Sequence, residues 1–439
     1  MARPNVSVFI DDQSFVIPGS FTGTSRGGLI SYGGLVVALG NTAERKSGVM
    51  QIETVGDWVQ RLTVTDPIAA TGTIDSPDGK NHTNNTGIHA TAGTTGAGRW
   101  PFGPTGAWRG EWWAGHNFLQ YGGTLVVGGT GTDEHISGTL NGGRETLKDT
   151  SIPLDFVFTG AGTGGSSNDT FVANRDSDLS AVTEIADVAN VVSNRADCVG
   201  VYPNLTTAHT SVAASPSLPS GVGASQYNVV VWGDKKHLGI SRTGEILGDS
   251  SLLSFHLAPD VAGCMARTDN ISDPWFSPAG FARGQIQDVV RLSHNPSEGE
   301  QDRLYDAKIN PVVTFPGEGT VLWGDKTTAV STSTLSRINV SRLFIHLKKV
   351  VGAAARSNLF EINNVDTRAS FVNAVEPFMS TIRSRRGVYD YRVVCDETNN
   401  TGSIIDANQF VADIFVKPSK SINFIRLTFT NKNTADMLE

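Results

Sequence analysis

Apolar positions along this chain alternate between short unbroken runs and longer one-sided stripes. The runs "GGTLVVGG", "PLDFVF", "DCVGVYP" and "YNVVVWGD" predict strands, each bounded by Gly, Pro or Asp. Between the second and third lies "DLSAVTEIADVANVV", where Leu179, Val182, Ile185, Ala186, Ala189 and Val192 share one face of a helix. Upstream, "ISYGGLVVALG" reads as a strand and "TVGDWVQRL" as a short helix capped by Thr54. Strands alternating with helices predict an α/β middle region.

Toward the C-terminus the helical patterns lengthen. "SEGEQDRLYDAKI" opens with a capping box of Ser297 and Glu300. In "NVSRLFIHLKKVVGAAARSNLFE" the stripe is Val340, Leu343, Phe344, Leu347, Val350, Val351 and Leu359. A third helix, "DTRASFVNAVEPFMSTIRSRRG", is expected to stop at Gly387. Three strand patterns close the chain: "YDYRVVCD", "QFVADIFVKP" and "SINFIRLTFT".

The resulting layout is multidomain, mixing α/β with α+β. Residues 1–22 form an extended arm, because the strand pattern "VSVFI" has nothing beside it to pair with. An α/β middle domain takes 23–65 and 116–262, interrupted over 66–115 by a Gly-, Thr- and Trp-rich stretch without a regular period, read as a surface insertion. Residues 263–439 form an α+β C-terminal domain ending in a second β arm.

Composition narrows the functional classes. At 439 residues there is room for two or three domains. The 48 glycines exceed the usual ~7% and point to many turns. A formal charge of -8 argues against a broad nucleic-acid footprint, which needs clustered cations. No apolar run approaches a membrane span, so a soluble protein made in the cytoplasm is expected. Cys198, Cys264 and Cys395 lie far apart and read as packing residues, with neither a disulfide framework nor a thiolate metal cage signalled.

Two stretches imitate nucleotide sites. In "GEGTVLWGDKT" Gly319 and Gly324 have phosphate-loop spacing, but Asp325 would set a carboxylate beside the phosphates where Lys should enter. A strand end and turn is the better reading, and the repeated "WGDK" at Trp232 and Trp323 reads the same way. Gly160, Gly162 and Gly165 satisfy G-x-G-x-x-G, yet no helix begins inside the fingerprint to face a pyrophosphate. His82, His89 and His116 read as solvated loop residues without ligand spacing. With no hydrolase elbow, zinc-protease pair or acid/base carboxylate pair in sight, no catalytic, metal or cofactor residue is nominated. The densest basic patch is Arg383, Arg385 and Arg386, either helix-dipole compensation or a docking patch for an acidic partner.

From Asp260 onward, "DVAGCMARTDNISDPWFSPAGFARG", "LYDAKINPVVTFPGEGTVLWGDKT", "RINVSRLFIHLKKVV", "FEINNVDTR", "VVCDETNN" and "VADIFVKPSKSINFIRLTF" follow one another in an order that resembles the tail sheath proteins of contractile-tailed bacteriophages, relatives of the sheaths of other contractile injection systems. The likeness continues more weakly through "RPNVSVFIDDQSFVIPGS" and "GVMQIETVGDWVQRL". It implies a non-enzymatic virion subunit without cofactor that stacks into rings around a tail tube and contracts to drive it through an envelope. The implied partners are further copies of the chain, the tube, and the baseplate and tail terminator proteins, with assembly in the host bacterial cytoplasm. A C-terminal domain facing the tube would make Arg383, Arg385 and Arg386 tube contacts. Val6, Val8, Ile10, Ile414 and Val416 are the side chains expected in strands shared with neighbours. The competing class is a non-sheath virion or secreted module whose Trp-rich loop binds glycans.

Overall fold

The computed structural model describes residues 24–30, 49–62, 74–75, 81–82, 108–128, 147–160, 181–204, 209, 211–238, 252–330 and 333–422. In chain order the first elements are β1 (Arg26–Ile30), β2 (Val49–Ile52), α1 (Val55–Leu62), β3 (Ile74–Asp75), β4 (Asn81–His82), α2 (Trp108–Leu119), β5 (Thr124–Gly128) and β6 (Phe156–Phe158). Then come α3 (Ala181–Arg195), β7 (Val199–Pro203), β8 (Asn228–Trp232), β9 (Asp234–Leu238), β10 (Leu252–His256), α4 (Ala258–Ile271) and β11 (Arg291–Leu292). The chain continues through α5 (Glu298–Asp306), β12 (Ile309–Phe315), β13 (Gly319–Leu322), α6 (Ile338–Ser357), α7 (Val365–Ser384), β14 (Val388–Val394), α8 (Gly402–Asp406) and β15 (Asp413–Pro418).

Eight strands make the central sheet, in the order β13-β12-β8-β7-β6-β1-β5-β2. Its six inner strands are parallel, and β2 and β13 close the two edges antiparallel. A parallel strand covered on both faces must be apolar throughout, which is why "TLVVG" and "NVVVW" are unbroken and wholly buried. Phe156, Phe158, Val199, Val201, Val229 and Val231 pack on one side with α2 and α4. Val157, Tyr202, Val230 and Trp232 pack on the other with α3 and α5. A separate three-stranded sheet, β10-β9-β11, flanks this core.

Local signals hold where the chemistry is local. The Thr54 hydroxyl accepts the Asp57 N–H at 3.0 Å at the start of α1. The Ser297–Glu300 capping box is formed at α5. Gly317 and Gly319, at φ +82° and +93°, turn the β12–β13 hairpin, so "GEGTVLW" is a turn and a strand. The three cysteines are buried and free. On α3 the buried face runs through Ile185, Val188, Val191 and Val192, while Ala186 and Ala189 are half-buried at its margin.

Several expectations are corrected. Trp108–Gly115 does not belong to a surface insertion but starts α2, whose Trp112, Trp113 and His116 are buried. Trp112 and Trp113 meet edge-to-face at 4.8 Å, and Trp58 donates its indole N–H to the Trp112 carbonyl at 3.1 Å. Three large rings on one side of the sheet need an interior, so these two tryptophans are not available to a glycan. His116 is no solvated loop residue; burial pushes its pKa down to about 4 and keeps the ring neutral. The boundary at 262 also fails, because α4 spans it and β12 hydrogen-bonds to β8 inside the central sheet. The second unit begins only after β13. Most of "ISYGGLVVALG", the Gly162–Gly165 fingerprint, His89 and "NFIRLTFT" lie outside the described residues.

Trp113→Ala removes a fully buried indole from this layer. An expected loss of about 3–5 kcal/mol is read from denaturant unfolding at constant m; a loss under about 1 kcal/mol would show that Trp113 is not a core residue.

Candidate assembly surfaces

The C-terminal unit is built on α6, which is shared between two cores. Ile338 and Ile345 face the central sheet side, whereas Val340, Leu343, Phe344, Leu347 and Val351 face a third core with Phe371, Val375, Met379 and Ile382 of α7 and Ile414 of β15. α6 contains Arg342, Lys348, Lys349 and Arg356 but no carboxylate, so its cations must find partners elsewhere. Lys348 and Lys349 find them at the starts of the parallel strands, and Arg342 on α4. Lys349 donates to Asp155 at 2.6 Å, directly before β6, and the same carboxylate accepts the Arg26 N–H of β1 at 2.9 Å. Lys348 donates to the Ala196 carbonyl at 2.9 Å before β7, and Ser341 to the Gln226 carbonyl at 2.6 Å before β8. Arg342 pairs with Asp269, which also accepts the Ser25 hydroxyl. α6 therefore bolts the two units into one body.

Burial and charge act against each other at these carboxylates. Burial raises Asp155, but Lys349 and the Arg26 N–H outweigh it and hold the carboxyl below its usual range. At Asp269 burial wins over Arg342 and the pKa is raised. Elsewhere in the core Asp260 takes both the Lys235 ammonium at 2.8 Å and the Tyr121 hydroxyl at 3.0 Å. His209 sits between Asp234 at 2.7 Å and the Asn204 carbonyl at 2.5 Å; burial disfavours its charge, yet the carboxylate raises its pKa. These groups tie elements together inside packed layers.

The C-terminal unit presents two surfaces. The first is the two-stranded sheet of β14 and β15, in register Val393↔Ile414 and Tyr391↔Val416. One face packs on α7; Tyr389 and Phe415 on the other are exposed. Among the described residues β14 and β15 pair only with each other, leaving two edges of free N–H and C=O groups. The second is a cleft of about 990 Å³ between the units, walled by Trp275, Tyr305, Trp323, Arg383, Arg386 and Tyr389, with Ser419–Ile422 along one side.

Comparison with known proteins follows the same two units. Residues 157–328 match the model of the phage tail sheath protein central domain, and residues 330–432 that of the phage tail sheath C-terminal domain. The chain belongs to the phage tail sheath family. It is 54% identical over 184 residues to a tail sheath protein of Vibrio phage KVP40, covering 42% of this chain and 27% of that one. Against the tail sheath protein of Enterobacteria phage T4 it is 49% identical over 173 residues, 39% of this chain and 26% of the other. The matched stretch is thus only about a quarter of the length of these curated relatives. The helical sheath of the anti-feeding prophage in its contracted state has the same fold, at TM-score 0.63 and 16% identity over 98% of this chain and 100% of that one.

Within this sheath-family fold the expected site residues separate. Arg383, Arg385 and Arg386 are all exposed at the end of α7. Arg385 is engaged by Asp273 at 2.8 Å, and its carbonyl accepts the Trp275 indole N–H at 3.0 Å. Arg383 and Arg386 face the cleft. The helix stop is also sharper than expected: Arg386, at φ +66°, is the left-handed residue, while Gly387 N–H reaches the Ile382 carbonyl at 2.8 Å and Arg386 N–H the Arg383 carbonyl at 3.0 Å. Gly387 is needed for space, since a Cβ there would lie 2.5 Å from Ile382. Ile414 is buried in its own chain's third core, with Val416 half-buried beside it. Val6, Val8 and Ile10 lie outside the described residues. The α6 cations escaped the sequence reading; the signal was a helix with cations and no acid.

Lys349→Ala tests the bolt. The depressed Asp155 pKa means its stabilisation is present above the unfolded value of 3.8 and fades as pH falls through the folded value. A part-exposed pair of this kind is expected to cost about 1 kcal/mol at pH 7, and less at pH 3. Equal deficits at both pH values, by urea unfolding, would assign the effect to the aliphatic stem alone.

Proposed function

We propose that this chain is a structural subunit of a contractile tail sheath, polymerising helically around a tail tube and contracting to drive that tube through a target envelope. The observation that carries this reading is the succession of sheath central and C-terminal domains in one chain, residues 157–432. The partners are further copies, the tube, and the baseplate and terminator proteins. The subunit is assembled in the host cytoplasm and works in the virion without catalysis or cofactor.

The physical argument starts from the lattice. Head-to-tail contacts that do not close on themselves generate helical filaments, and contraction needs links that survive rotation of whole subunits. The open edges of β14 and β15 suit a strand donated by a neighbour, because backbone ladders travel with the strand while the connection bends. Val6, Val8 and Ile10 carry the matching strand pattern. Each buried aliphatic contributes about 1.5–3 kcal/mol, against about 1–2 kcal/mol per residue of backbone ordering. One arm alone is marginal, and several links per subunit hold the lattice through effective concentration. Energy is stored in a metastable assembly and released on contraction.

Arg383 and Arg386 stand out for the tube, since Arg385 is committed to Asp273. Double charge reversal, Arg383→Glu with Arg386→Glu, is expected to abolish co-assembly with the tube while leaving stability within about 0.5 kcal/mol; undiminished co-assembly removes the assignment.

Electron microscopy of the full chain, alone and with its tube protein, is the decisive test. Hollow striated tubes of uniform width are expected, and a chain lacking residues 1–20 is expected to fold but stay dispersed. Compact particles from the intact chain under every condition would overturn the sheath reading; normal tubes from the truncated one would remove the N-terminal arm from it.

A further inference from the structure

The residue that spoils the phosphate-loop pattern has a different occupation. Asp325 is buried at the end of β13, and each of its carboxylate oxygens is used. One accepts from the Arg337 guanidinium at 2.7 Å and the Tyr305 hydroxyl at 3.3 Å. The other accepts the Ser421 hydroxyl, 96 residues along the chain. Arg337 also donates to the Tyr305 hydroxyl at 2.5 Å, and the Lys326 ammonium lies 3.6 Å from the Tyr305 ring centre. The carboxylate is thus oriented from one side and presented to Ser421 on the other.

We propose that Asp325 is the positioning residue that anchors Ser421, at the root of the C-terminal strand pattern, and that tube assembly depends on this anchor; the second half rests on the sheath function above. Two weaker ties precede it, from Ser419 N–H to the Gly387 carbonyl at 3.1 Å and from Asn339 to the Ser419 carbonyl at 3.2 Å. Immediately after it, Ile422 is 82% exposed. Ser421 is therefore held while the Ile422 side chain is exposed, and the strand pattern "NFIRLTFT" follows in the sequence.

A root of this kind needs a bond that does not peel. A strand paired with a neighbour pulls on the residues where it joins its own subunit, and that pull reaches the rigid body only through whatever holds them. A hydroxyl on a carboxylate is charge-assisted and stronger than the backbone ties beside it. A carboxylate is the side chain that can accept on both oxygens at once, whereas an amide would offer one acceptor and one donor. Asp325 also lies in the cleft wall with Ser419–Ile422, so the anchor holds this stretch in the same cleft that Arg383 and Arg386 line.

The test uses the full chain as wild type, Ser421→Ala, Ser421→Thr and Asp325→Ala. Limited trypsin digestion with mass spectrometry reads cleavage after Lys420, beside the anchor, and electron microscopy reads tube formation. Ser421→Ala is expected to speed cleavage about tenfold, with melting temperature unchanged and tube formation lost. Ser421→Thr keeps the hydroxyl and should stay within about twofold of wild type. Asp325→Ala should match Ser421→Ala in cleavage; if it fails to fold, the serine pair decides. Unchanged cleavage in Ser421→Ala, or an equal rise in Ser421→Thr, overturns the anchor. Raised cleavage with normal tubes overturns its role in assembly. Should the wild type itself form no tubes, the sheath function falls, and the anchor is still judged by cleavage.

Discussion

The fold depends on one helix having to satisfy two cores and its own charges at once. α6 supplies apolar side chains to both faces it separates, and its cations have no acid on their own helix. A cation removed from water without a partner is costly, so the helix can sit only where Asp155, Asp269 and the strand-start carbonyls meet it. Asp155, Ala196 and Gln226 precede parallel strands that begin along one edge, while Asp269 comes from the last turn of α4. The same contacts reach back to Ser25 and Arg26, so the start of β1 and the C-terminal unit are fixed to each other.

A body tied in this way is suited to moving as a whole. The central sheet is covered on both faces, and the third core is joined to it through α6. Under the proposed sheath function, the open edges of β14 and β15 take a neighbour's strand while the packed layers, which resist continuous deformation, stay intact. Under that proposed function, the work of contraction comes from the difference between two packings of unchanged bodies.

Perturbed titratable groups are plentiful here without implying chemistry. His116, His256 and His346 are each pushed by burial to about 4, and Cys198 and Cys264 to about 12. Such values mark functional sites when they converge on an accessible cleft. In this protein they belong to helices and strands packed against one another, as His116 does against Trp112 and Trp113. Asp325 makes the same point for motifs: a carboxylate that excludes a phosphate loop is well placed to hold a serine.

Much was legible because its cause is local. Unbroken apolar runs announced strands that are buried on both faces, a stripe from Val340 to Val351 announced α6 though its last member, Leu359, lies past the helix end, and Thr54, Ser297 and Glu300 announced helix starts whose bonds span three residues. Asp325 also argued against the imitation phosphate loop, whose Gly317–Leu322 stretch is the β12–β13 turn and strand. What the chain could not state locally was which segments meet. The tryptophans of α2 looked like an exposed insertion because burial comes from α1, α4 and the sheet, far away in sequence. β12 looked like part of a later domain because its partner, β8, precedes it by about eighty residues. Ile414 looked like a donated side chain because only tertiary packing shows that its own α7 covers it. Periodicity follows from the backbone and can be read along the chain; pairing, burial and the partners of charges depend on contacts between distant segments, and only the folded structure decides them.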